Sequence, residues 1–261
     1  FAGGKDLSIN AHSGAAIAGN ATVGGNLSMR TGGDAALFGN IQVNQSADVM
    51  AGSVTTGGTL TVGQNMDIAG TNSVDLLGST TVGNQLNIGG GQVTLAGDLD
   101  ARQTQVDASQ LHLGGTDGNF SARGDLDLSV SQDFHTSGNV SVTGSLGLHA
   151  GGDAQFGGTV TTGSNFGVNA GGSIGLGGAV NSGGSVNLVA GNNINTADSI
   201  TAGGNVSATA GGSMALGGAV SSGGNVNLEA GNDISTADSI TAGGNVSGTA
   251  RGATWTSCSA R

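Results

Sequence analysis

Residues 203–250 read GGNVSATAGGSMALGGAVSSGGNVNLEAGNDISTADSITAGGNVSGTA. The tetrapeptide GGNV starts at Gly203, Gly223 and Gly243, at a constant interval of 20. Segments 171–210 and 211–250 align without a gap and differ at eight of their 40 positions. A fixed period of this length is the mark of one supersecondary unit laid down repeatedly.

The same register runs back through the chain. One column, spaced by 20, holds Met66, Leu86, Val106, Leu126, Leu146, Phe166, Val186, Val206, Val226 and Val246. Two residues on, a second column holds Ile68, Ile88, Ala108, Leu128, Leu148, Val168, Leu188, Ala208, Leu228 and Gly248. The positions between them are small or polar, as at Asp67, Asn87, Asn187 and Asn227. Apolar, polar, apolar is the period-2 pattern of a strand with one buried face. A second strand per unit centres on Val74, Phe134, Ile174, Ile194, Met214 and Ile234, and a third on Leu60, Val140, Val180, Ile200 and Val220. Glycine fills the corners, where its access to positive φ is the expected reason for its use. Its frequency also leaves no stretch suited to a helix of several turns. A chain that winds once per repeat, each strand pairing in parallel with its copy one turn on, satisfies all of this. The expected fold is an all-β parallel β-helix of about 13 coils, three short strands to a coil.

Residues 1–250 read as one repeat domain with coils of 19–20 residues. Before residue 50 the columns slip by one, as at Leu7/Ile9 and Leu27/Met29, so one coil there is a residue short. Over 90–120 the pattern blurs, with Val93, Leu95 and Leu99 out of column, and an irregular turn or bulge is expected. The tail 251–261, RGATWTSCSAR, falls outside the repeat and reads as a frayed end, a cap, or residues appended to it, the first or last being favoured.

Composition narrows the function. The 261 residues include 54 Gly, no Pro and a single Cys, Cys258, which excludes an intrachain disulfide. Lys and Arg number six against 17 Asp and Glu, a net charge of −11. With no basic stripe to neutralise phosphates, nucleic acid is not an expected partner. No apolar run is long enough to cross a bilayer, so membrane insertion is not expected. The chain opens at Phe1 with no leader, and the repeat is already running by Leu7, which reads as a piece of something longer.

The units AGNNINTADSITAGGNVSATA (190–210) and AGNDISTADSITAGGNVSGTA (230–250) resemble the haemagglutinin repeats of filamentous haemagglutinin-like exoproteins. The resemblance is close over about residues 130–250 and looser over 1–130. It implies a right-handed β-helix and export by two-partner secretion to the outer surface of a Gram-negative bacterium. Family members include adhesins and the stalks of contact-dependent growth inhibition toxins. The implied partners are an outer-membrane transporter, engaged through a domain absent from this sequence, and a host or bacterial surface glycan or protein. The function expected is that of a structural shaft that mediates attachment or presents a distal binding or toxin domain. Two other readings of the same scaffold are a glycan-active enzyme and a rod-to-rod matrix or biofilm protein.

No catalytic constellation stands out. The five Arg and one Lys are scattered, and His12, His112, His135 and His149 lack metal-ligand spacing, so no catalytic residue and no cofactor is expected. Asp107 with Asp127, and Asp133 with Asp153, share outward columns by the count of 20. Stacked carboxylates repel, which a Ca²⁺ would relieve; a solvated acidic face is the plainer reading. Asn139, Asn205 and Asn245 head Asn-x-Ser/Thr triplets, a glycosylation pattern, and equally a place where Asn forms ladders at a turn. The third strand is flanked by small hydroxyls, as at Thr159/Thr161, Ser199/Thr201 and Ser239/Thr241, which make a polar outer face.

Overall fold

The computed structural model describes residues 2–115, 118–252 and 255–257. Every regular element among them is a strand. Within each unit the strands stack in parallel as a right-handed β-helix, about 12 turns in all, the hand that parallel crossover connections take. The chain forms two compact units, Phe1–Ser129 and Val130–Arg261.

In the second unit the three-strand turn is regular. Val186–Ala190, Ile194–Thr196 and Ile200–Ala202 make one turn. Each strand pairs in parallel with its copy in the next repeat: Val186 with Val206, Ile194 with Met214, Ile200 with Val220. Inward residues form the core. Val186 and Leu188 are buried and Asn187 between them is exposed. Phe134, Phe156 and Phe166 cluster in this core, with ring centroids 5.1 Å and 5.6 Å apart, the second contact edge-on, a favoured aromatic geometry. Trp255–Ser257 lies in the tail that the repeat does not reach, yet it pairs with Ile234–Thr236, one place beyond the regular register. Cys258 and Arg261 lie outside the described residues.

The first unit has uneven turns. Within Ala47–Gly57, Ala47 pairs with Met66, one short of the count of 20, while Val54 pairs with Val74, on the count. The difference is taken up between Gly70 and Ser73. From Ala47 to Leu113 the first and second strands of each turn run together. They form single strands at Ala47–Gly57, Met66–Leu76 and Gln85–Leu95, each of 11 residues; Leu99–Leu113, of 15, takes in the preceding third strand as well. The backbone stays extended through the corner there, and the parallel ladder is interrupted at it and resumes beyond, with a register shift between Gly70 and Ser73.

Two expectations need correction. Counting by 20 places Val106 over Leu86. In the structure Leu86 pairs with Thr104, and Val106 pairs with Ile88, so this turn is two short of the count. Thr104 is fully buried in the place given to Val106, and Val93, Leu95 and Leu99, which look out of column, are all core residues. The second correction concerns glycine. Among the described residues only Gly19, Gly39, Gly58, Gly114, Gly118 and Gly124 have positive φ. None belongs to a GGN corner. At those corners glycine is needed for want of space: a Cβ on Gly203 would overlap the carbonyl oxygen of Gly183, and one on Gly223 that of Gly203.

Candidate functional site

The second-strand face of the Val130–Arg261 unit carries an open concavity. Its outward column is His135, Gln155, Gly175, Asn195, Ala215 and Ser235, each paired with the next in the ladder. Small residues at the following corner, Gly157, Gly177, Ala197, Gly217 and Ala237, leave a groove beside this column with a volume of about 510 Å³. It runs across the strands, roughly 24 Å from His135 to Ser235 at ~4.8 Å per strand. Its lining includes no Asp, Glu, Lys or Arg. Phe156, Leu176 and Leu216 show their edges in it, while their bodies belong to the core. Thr196 also lines it; the residue is 6% exposed and its Oγ1 has no hydrogen-bond partner. A buried hydroxyl without a partner carries a desolvation cost.

The acidic and amide columns do different work. Asp133 Oδ1 accepts the Asp153 N–H at 2.8 Å, and Asp153 Oδ1 accepts the Ser173 N–H at 2.6 Å. The series continues with Asn193 Oδ1 accepting the Ser213 N–H at 2.8 Å. A parallel series climbs the GGN corners, where Asn165 Oδ1 accepts from Ser185, Asn205 Oδ1 from Asn225, and Asn225 Oδ1 from Asn245, at 2.8–2.9 Å. In the first unit Asp6, Asn26 and Asn65 do the same for Asn26, Ser46 and Gln85. Each side chain therefore satisfies a corner N–H one turn on that the strands leave unpaired.

The structure thus brings Asp133 and Asp153 into one column, held by backbone donors. Asp107 is placed opposite Gly89, outside the column of Asp67 and Asn87. It accepts from Gln105 Nε2 at 3.1 Å, and Asp127 is exposed. No group of three or more metal-ligating side chains is assembled among the described residues; Asp117 lies outside them. Of the Asn-x-Ser/Thr asparagines, Asn139 and Asn205 are exposed but use Oδ1 to accept the N–H of Thr159 and Asn225. Asn245 is exposed, and its backbone N–H donates to Asn225.

Two features escape the sequence reading. One is the groove, although alternating small and polar residues at 155, 175, 195, 215 and 235 signal it. The other is a set of inward hydroxyls: Ser182 Oγ donates to the Ser164 carbonyl at 2.6 Å and Ser222 Oγ to that of Gly204 at 2.7 Å. No family model, curated protein or solved structure matches the chain. The fold defines it as a β-solenoid repeat protein.

Proposed function

We propose that this chain is shaft material of a secreted, adhesin-type exoprotein of the filamentous haemagglutinin-like kind, held at the outer surface of a Gram-negative bacterium. It holds distal binding or toxin domains away from the cell and attaches along its own length to a surface glycan or protein. An outer-membrane two-partner secretion transporter is the export partner in this reading. The observation that carries the proposal is the union of a haemagglutinin-like repeat with a parallel β-solenoid bearing a solvent-open groove lined without Asp, Glu, Lys or Arg. Binding fits that groove better than cleavage, because glycoside hydrolysis uses paired carboxylates across the scissile bond and the lining offers none. No helix among the described residues is long and apolar enough to cross a membrane.

The test is binding of the purified chain to epithelial and bacterial cells and to a glycan array. Saturable binding that an excess of unlabelled chain competes away is the expected result. A folded chain that binds none of these surfaces would leave only the spacer role.

A further inference from the structure

We draw no further inference here: the strongest candidate, the exposed apolar patch that Phe38 and Leu77 form on either side of Gly57 at one corner of the Phe1–Ser129 unit, is an unpartnered face, and nothing in the structure shows what covers it.

Discussion

Glycine at the corners is selected by contact with the turn below. On Gly224 a Cβ would overlap Asn205 Oδ1, and on Gly244 it would overlap Asn225 Oδ1. The first glycine of GGN faces a carbonyl and the second faces the ladder side chain, so the tripeptide is one device spread over two turns. Gly203→Ala should therefore destabilise by about 1–3 kcal/mol through overpacking. Gly175→Ala has room and should be neutral or stabilising by up to about 1 kcal/mol, through the loss of unfolded-state freedom. Urea unfolding of both variants separates these outcomes. The strand register has its own test. Val186→Asp or Leu188→Asp buries an unpaired carboxylate and should cost several kcal/mol. Asn187→Asp on the exposed side should stay within about 0.5 kcal/mol of the parent. Equal effects at 187 and 188 would refute the register.

At the scale of the element, a corner is held by side chain to backbone bonds that link each turn to the next. Asn205→Leu removes the acceptor for the Asn225 N–H and should cost about 1 kcal/mol. Asn205→Asp keeps an acceptor oxygen and should be close to neutral. The same logic applies to Asp153→Asn, which preserves the acceptor for the Ser173 N–H. A midpoint for Asp153→Asn well below that of the parent would mean that the charge itself, rather than the acceptor, is what the corner uses. The short turn between Leu86 and Thr104 shows how an element tolerates irregularity. With Thr104 in an apolar column and its Oγ1 unpaired, Thr104→Val should stabilise the first unit, as a thermal melt would register. It removes a buried hydroxyl that nothing satisfies.

For the whole molecule, stability in a solenoid is close to a sum over turns and their nearest-neighbour contacts. Turns covered on both sides should exchange amide hydrogens most slowly. In the second unit Val186–Ala190 should be protected longer than Val246–Ala250, where Val246 is 41% exposed against 1% for Val186. In the first unit Val49, which is fully buried, should outlast Leu7 and Ile9, which are only half-buried. Uniform exchange across each unit, measured by mass spectrometry, would mean that it opens as a single block and that turns do not fray individually.

Much of this was legible from period alone. A repeat with apolar residues at i and i+2, returning at i+20, determines strands, inward faces and parallel stacking, because identical turns bury a continuous core only by lying on one another. For that reason the columns at Val186, Ile194 and Ile200 are where the count of 20 puts them. Three things were decided only in the folded structure. The turn that sets Gln103 on Gln85 is two short of the count, since core filling across neighbouring turns outweighs an even spacing. Glycine at GGN answers to the atoms of the turn beneath, which a linear reading of backbone preference does not contain. The groove exists because small side chains a full repeat apart in sequence lie one strand spacing apart in space. Local pattern determined the strand and its inner face; distances between turns, set by packing, determined the corners and the surface that a ligand would meet.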